Sequence, residues 1–196
     1  MQTLTEIYTA KIEVKKSAFI ATLCPFSAFK TELKRLKIEH PKAAHFVHAL
    51  RYRNALKQII EDKSDDGEPK GTSALPCLNV LRGKELVDVG LIVVRYFGGV
   101  KLGTGGLVKA YTAAANAALK EANFHAVKET ITLHARLQNL AQIEHFLQKN
   151  APEYTKKFVE NAVLIGVFCD AGERMRLENF CKAFNPQHLR LELGKF

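Results

Sequence analysis

A near-continuous apolar run, LVDVGLIVVRYF at residues 86–97, constrains the fold of this chain more than any other stretch. Such a run predicts a strand that is buried on both faces or lies at the centre of its sheet. Five glycines follow within residues 98–106, and the segment from Gly105 to about Asn123 is rich in alanine. Alanine favours a helix and lets it lie close to its neighbour. The sequence therefore predicts a central strand, a glycine turn and a closely packed helix.

The order of the predicted elements indicates an α+β protein with two domains. Of the 196 residues, 47% are hydrophobic and 25% are charged, which provides enough apolar surface for a real core. From residue 129 onward, the patterns predict strand, helix, strand, strand, helix and strand. This βαββαβ order is the ferredoxin-like arrangement, in which two helices cover one face of an antiparallel sheet. We expect domains at residues 1–127 and 128–196.

A basic helix is predicted at SAFKTELKRLKIEH, residues 27–40. Ser27 suits the N-cap position, and an apolar stripe recurs at helical spacing behind it. Lysines recur on the opposite side of the helix, where they would form one exposed ridge. The residues of this lysine ridge are Lys30, Lys34 and Lys37. We predict that the lysine ridge contributes to the binding of a polyanion through its charge.

The positive charge of the chain is concentrated in its first part. Residues 1–128 contain 20 Lys and Arg against 12 Asp and Glu, a net charge of +8. Residues 129–196 contain 9 and 8, a net charge of +1. Such an asymmetry attracts RNA, a ribosome or an acidic protein surface, although a role in solubility alone explains the charge equally well.

The glycine turn does not fit either of the two common nucleotide motifs. A P-loop requires lysine where Thr104 stands, and the dinucleotide fingerprint requires glycine where Val108 stands. Free backbone N–H groups at the start of a helix would still bind an anion, with two cationic side chains nearby. The candidate residues for binding an anion or nucleic acid, besides the lysine ridge, are Arg95, Lys101, Gly103, Thr104, Gly105 and Gly106. Alternatively, the glycines only permit positive φ and close packing.

The polar loop SDDGEPKG, residues 64–71, is the second candidate site. Carboxylates as close as Asp65, Asp66 and Glu68 could hold Mg²⁺ or act as an acid and base pair. The same residues also suit a turn in which Asp caps backbone N–H groups. We expect these carboxylates to lie against the glycine turn across one shallow cleft, as internal counter-anions. We assign no catalytic residue, no cofactor and no resident metal.

We expect a cytoplasmic protein that does not contact a membrane. No apolar run approaches the roughly 20 residues that a membrane span requires. The first residues, MQTLTEIYTAKIEVKK, lack the apolar core of a secretory signal.

The motifs SDDGEPKGT and VVRYFGGVKLGTGGLVKAY resemble the signature of the YigZ/IMPACT family. The resemblance implies an N-terminal α+β domain like the second domain of a small-subunit ribosomal protein, with a left-handed βαβ unit. The C-terminal domain resembles the last domain of elongation factor G. The family motif implies a shared surface formed by His45, Asp65, Asp66, Gly67, Glu68, Pro69, Tyr96, Gly98, Gly99 and Tyr111.

For bacterial members, the resemblance implies nucleic-acid binding or an association with translation, without an established reaction. Our leading hypothesis is therefore a non-enzymatic cytoplasmic protein that binds RNA or the translation machinery through its basic N-terminal domain. The first alternative is an enzyme that acts on a phosphorylated small molecule, with the glycine turn as its anion cradle. The second alternative is a protein-interaction module that binds an acidic partner.

Overall fold

A computed structural model describes residues 1–151 and 153–193 of the chain. The chain divides into two compact units, Met1–His125 and Ala126–Phe196. This division falls two residues before the boundary that we predict from the sequence. Mixed α and β elements form both units, so the predicted α+β class is confirmed.

The first unit contains six strands and three α-helices within the described residues. Its strands are β1 (Gln2–Thr3), β2 (Tyr8–Val14), β3 (Ser17–Pro25), β4 (His45–Arg53), β5 (Ile59–Ser64) and β6 (Val89–Tyr96). Its helices are α1 (Phe29–Glu39), α2 (Ala74–Gly83) and α3 (Gly103–Glu121). A short strand, β7 (His125–Ala126), lies where the two units join.

The main sheet of the first unit has the strand order β2-β3-β6-β4-β5, and every pairing in it is antiparallel. Strand β6 lies at the centre and is buried from Val89 to Arg95, which confirms the prediction for the apolar run. Strands β3 and β4 both pair with β6, so they run parallel to one another and are joined through α1. The left-handed sense of this βαβ connection remains a prediction.

Helices cover both faces of the main sheet. Alternate residues of β6 point to opposite faces, because side chains alternate along a strand. Leu91 and Val93 pack into the core beneath α2 and α3, while Ile92 and Val94 pack into the core beneath α1. Four of the six alanines of α3 are buried against the sheet, as the sequence predicts for a closely packed helix. Helix α1 therefore lies on the opposite face of the sheet from α2 and α3.

The start of α1 differs from the sequence prediction. Ser27 lies within a 3₁₀ turn, Phe26–Ala28, and the N-cap position of α1 is Ala28, which makes no side-chain cap. Tertiary contacts explain the difference. The Phe26 N–H donates to the Asp88 carbonyl at 2.8 Å, and the Phe26 ring stacks on Tyr52 with 3.9 Å between centroids. These contacts fix the chain where it leaves β3 and place Ser27 inside the 3₁₀ turn. Ser27 is therefore not at the N-cap position of α1.

The second unit has the predicted element order βαββαβ. Its elements are β8 (Glu129–Arg136), α4 (Leu140–Asn150), β9 (Tyr154–Val159), β10 (Ala162–Cys169), α5 (Ala171–Cys181) and β11 (Leu189–Leu193). The sheet order is β11-β8-β10-β9 with antiparallel pairing, as in ferredoxin-like domains. A capping box at Asp170 and Glu173 begins α5. A separate apolar core joins both helices to this sheet.

The described part of the chain contains no helix that is both long and apolar enough to cross a membrane.

We predict that the fragment Ala126–Phe196 folds without the first unit, because it has its own apolar core. Urea unfolding of the fragment, followed by far-UV circular dichroism, should give a cooperative sigmoidal transition. The same fragment with Leu133→Asp is the control, since Leu133 is fully buried and a charge there disrupts the core. A gradual loss of signal in the unmodified fragment, like that of the control, would contradict the prediction.

Candidate functional site

A buried polar cluster connects the acidic loop to β6 and α3. The loop carries Glu68 between β5 and α2, and the Glu68 side chain is only 3% exposed. Its Oε1 accepts hydrogen bonds from Arg95 Nη1 at 2.5 Å and from the Tyr111 hydroxyl at 2.8 Å. One carboxylate oxygen thus ties three segments of the family motif together. These segments are the acidic loop, the end of the central strand and the third turn of α3.

Arg95 lies in a different environment from the one we expect from the sequence. We predict a cation that faces an anion at the glycine turn, but Arg95 is 5% exposed and forms an ion pair with Glu68. The reason is strand alternation, which directs Arg95 inward, toward the core beneath α3. Its Nε atom is buried and makes no hydrogen bond with any described residue. A solvent anion therefore cannot reach this guanidinium without displacing Glu68.

Tyr111 acts in this cluster as a neutral hydrogen-bond donor. Burial raises the pKa of the Tyr111 phenol well above its usual range, and the negative charge of Glu68 raises it further. The ring packs edge to face against Phe19, with 5.2 Å between centroids. The phenol therefore stays protonated and holds the Glu68 carboxylate in place.

His45 lies at the exposed side of the same cluster. Its Nδ1 donates to the Asp66 carbonyl at 2.7 Å, because a carbonyl oxygen can only accept. This bond turns Nε2 toward Glu68, whose Oε1 lies 3.8 Å away. Gly67 adopts φ +86°, a backbone conformation that favours glycine, directly against the His45 ring. The loop and the imidazole therefore fix each other's positions.

The other two acids of the loop bind groups of the protein itself. Asp65 accepts hydrogen bonds from Gly71 N, Ser73 Oγ and Ala74 N, at 2.9, 2.5 and 2.8 Å. Burial opposes ionisation of Asp65, but these hydrogen bonds outweigh it and lower the pKa of the carboxyl. The Asp66 carboxylate accepts from the Phe46 N–H at 2.5 Å. These bonds match the capping interpretation of the loop, whereas Glu68 binds Arg95 of β6 and Tyr111 of α3.

The glycines of the turn have two different roles. A side chain at Gly98 would collide with the backbone of Lys16 and Ser17, at 2.0 to 2.4 Å, so only glycine fits. The Gly98 N–H also donates to Ser17 Oγ at 3.1 Å. Gly99 and Gly103 adopt φ +82° and +72° with open space beside them. Gly98 therefore joins the turn to the β2–β3 hairpin, whereas Gly99 and Gly103 shape its exposed side.

A cleft of about 650 Å³ lies between the β2–β3 hairpin and the start of α3. We call it the turn cleft. Its lining includes Val14, Lys15, Leu102, Gly105, Gly106 and Lys109. Thr104 is exposed in the same first helical turn, and no side chain caps the N-terminus of α3. The predicted glycines of the turn and the backbone of the first turn of α3 thus border one open surface.

Two exposed lysines line the turn cleft, and two more directly neighbour lining residues in the chain; sequence reasoning identified only one of the four. They are Lys15, Lys16, Lys101 and Lys109, and none forms an ion pair with another described residue. Lys15 and Lys16 form the hairpin turn between β2 and β3. The alternating pattern on either side of this pair was the signal that could have revealed the hairpin. We call these four residues the cleft lysines.

The structure does not bring the lysine ridge to the turn cleft. Lys30, Lys34 and Lys37 are exposed on α1, on the opposite face of the main sheet from α3. Lys37 lies over the Phe46 ring at 5.8 Å. Tyr96, another residue of the family motif, also belongs to the α1 face and bonds His40 through its hydroxyl at 3.0 Å. The candidate binding residues therefore form two separate surfaces.

The fold and the cluster define a two-unit α+β protein whose first unit carries the linked acidic loop and glycine turn. The family model described as the Impact N-terminal domain matches residues 15–119, more than half of the chain. The chain belongs to the IMPACT family.

Curated relatives show the same relationship over somewhat more than half of the chain. The chain is 40% identical over 111 residues to an IMPACT family member from Haemophilus influenzae, covering 55% of this chain and 54% of the relative. It is 40% identical over 114 residues to the IMPACT family member YigZ from Escherichia coli, covering 56% and 55%. The chain thus spans about half the length of the curated relatives it matches.

One solved structure resembles the chain over both units. It is a crystal structure of a hypothetical protein with a TM-score of 0.56 and 30% sequence identity, covering 99% of this chain and 97% of that one. The likeness supports the fold described above.

We predict that Glu68→Gln lowers the free energy of unfolding by about 3 kcal/mol, because it leaves the Arg95 charge buried without a counter-charge. Urea unfolding followed by circular dichroism measures the change. The control is Glu39→Gln, which breaks the exposed pair between Glu39 and Arg35 and should cost less than about 1 kcal/mol. Equal losses of unfolding free energy in the two variants would contradict the prediction, because the buried pair would then contribute no more than the exposed one.

Proposed function

We propose that this chain is a non-enzymatic cytoplasmic protein with a translation-associated regulatory role. In this proposal, it binds RNA or the ribosome through the basic surface of its first unit. The observation that carries the proposal is the group of four exposed cleft lysines at the start of α3, of which Lys15 and Lys109 line the turn cleft and none forms an ion pair with a described residue. Unpaired lysines bind phosphates with little competition from the protein's own carboxylates.

The backbone at Lys15 and Lys16 supports this interpretation. Both residues adopt positive φ, +46° and +66°, in a two-residue hairpin turn. Asn and Gly are the residues that such turns favour, because other side chains are strained there. Strain of this kind often persists at functional positions. The hairpin thus carries two lysines at positions where Asn or Gly would be less strained.

The start of α3 adds partial positive charge to the same surface. Gly105 and Gly106 line the turn cleft in the first turn of this helix, whose N-terminus has no side-chain cap. Free N–H groups and the helix dipole both favour a phosphate at such a position. The cleft lysines and the helix start therefore act on a phosphate together.

The contacts of the acidic loop favour binding over catalysis. Asp65 and Asp66 accept hydrogen bonds from the backbone, and Glu68 neutralises Arg95. These interactions give each acid a structural role as a cap or an internal counter-anion. A translation partner is further supported by the resemblance of both domains to parts of the translation machinery.

The lysine ridge provides a second contact for a large polyanion in this proposal. It lies on the α1 face, so a short RNA in the turn cleft does not reach it, whereas a ribosome can present phosphates to more than one surface. The two sets of lysines should therefore respond differently to partners of different size.

A second candidate function, interaction with another protein, is favoured by an apolar groove between α2 and α3. The groove has a volume of about 370 Å³, and its lining includes Leu75, Pro76, Val80 and Val108. Leu75 and Val108 are 36% and 38% exposed. If this groove is the principal site, Val108→Asp should abolish capture of the partner and leave RNA affinity unchanged.

We predict that changing all four cleft lysines to Gln flattens the salt dependence of RNA binding. For a single-stranded RNA of ten nucleotides, the slope of log Kobs against log salt concentration should fall by about 3, at roughly 0.7 per lost phosphate contact. Fluorescence anisotropy at several salt concentrations measures the slope.

The matched control for this experiment changes Lys30, Lys34 and Lys37 to Gln. This variant should keep the slope for the short RNA, because the lysine ridge is on the other face of the sheet. An unchanged slope in the cleft variant would contradict the proposed function.

A further inference from the structure

Phe97 is an exposed aromatic ring in the middle of the family motif. It follows β6 directly and is 53% exposed, whereas the strand before it is buried. Side chains alternate along an extended chain, so Phe97 lies on the same face as Arg95, the face that α3 covers. The ring is therefore presented to solvent at the edge of the buried polar cluster.

The inner support of this ring is rigid. The Arg95 guanidinium lies over the Phe97 ring at 5.7 Å from its centroid and over the buried Phe19 ring at 5.5 Å. Arg95 cannot move freely, because its Nη1 is bound to Glu68 and Glu68 is bound to Tyr111. The polar cluster thus holds in place the guanidinium against which the exposed ring packs, and this support reduces the entropy lost when a ligand stacks on the ring.

The turn also places cationic groups beside the ring. Gly98, the next residue, packs directly on the backbone of Lys16, and Lys101 lies four residues beyond Phe97. Both lysines are exposed and form no ion pair with another described residue. An exposed ring in the same turn as Lys101, beside the glycine that packs on Lys16, suits a ligand that has both a planar face and a negative backbone.

We propose that Phe97 is a stacking platform for an unpaired base of single-stranded RNA. Base and aromatic stacking beside a basic groove is how proteins bind single strands without sequence preference. A duplex hides the faces of its bases, so it cannot use the ring. This inference rests on the proposed function, since the cleft lysines hold the phosphates of the same strand. The cleft lysines form no ion pair with a described residue, so they favour a negatively charged RNA over an apolar protein surface as the ligand that covers Phe97.

The test compares three probes on the full chain. They are a single-stranded RNA of ten nucleotides without self-complementarity, the corresponding duplex, and polyphosphate of similar charge. Phe97→Ala should weaken binding of the single strand by at least about 5-fold, the effect of losing one base stack. Its affinities for the duplex and polyphosphate should stay unchanged. Phe97→Tyr keeps an aromatic face and should retain the affinity for the single strand.

The control variant is Phe158→Ala, which removes another exposed phenylalanine, 62% exposed, from the second unit. It should bind all three probes like the unmodified chain. If Phe97→Ala keeps its affinity for the single strand, or loses affinity for all three probes alike, Phe97 is not a stacking platform for RNA bases.

The failure of this inference can be separated from the failure of the proposed function. If the cleft lysine variant loses RNA binding and Phe97→Ala does not, only the platform is wrong. If both the cleft lysine variant and Phe97→Ala bind RNA like the unmodified chain, the proposed function and the stacking platform are both wrong.

Discussion

The buried ion pair between Glu68 and Arg95 is the interaction on which the first unit's candidate site depends. Removing a carboxylate and a guanidinium from water is costly, and their attraction compensates only when the geometry is good. Here the Tyr111 hydroxyl binds the same carboxylate oxygen, and the acidic loop brings Glu68 to it. Such a pair contributes little net stability compared with apolar residues. It does, however, disfavour any fold in which the acidic loop, β6 and α3 are not in contact, because a buried charge would then lack its partner.

The consequences of this pair extend outward to the surface. Arg95 supports the exposed Phe97 ring from below, and Gly98 then joins the turn to the β2–β3 hairpin. The hairpin presents Lys15 in the turn cleft, beside the uncapped start of α3, with Lys16 next to it in the chain. Acidic and glycine-rich motifs that lie far apart in the sequence thus build one basic surface. In this account, the acids organise the site from inside while the lysines meet the ligand.

Local patterns predicted the elements of the fold, and tertiary arrangement decided the rest. The apolar run indicated the central strand, and the C-terminal periodicities indicated βαββαβ. Three features were not predicted. Arg95 points inward because of the register of a strand that is buried on both faces. The Lys15–Lys16 turn lacks the glycine that usually marks a hairpin. Helix α1 lies on the opposite face from α3, which no property of its own sequence determines.

A double-mutant cycle between Glu68 and Arg95 tests the central claim most directly. Glu68→Gln, Arg95→Met and the double variant would be compared through amide hydrogen exchange of β6, which reports the stability of the first unit alone. We expect the double variant to be more stable than the sum of the single losses predicts, by about 2 kcal/mol or more, because it leaves no unpaired buried charge. Additivity within about 0.5 kcal/mol would show that the two residues act independently and would contradict the account.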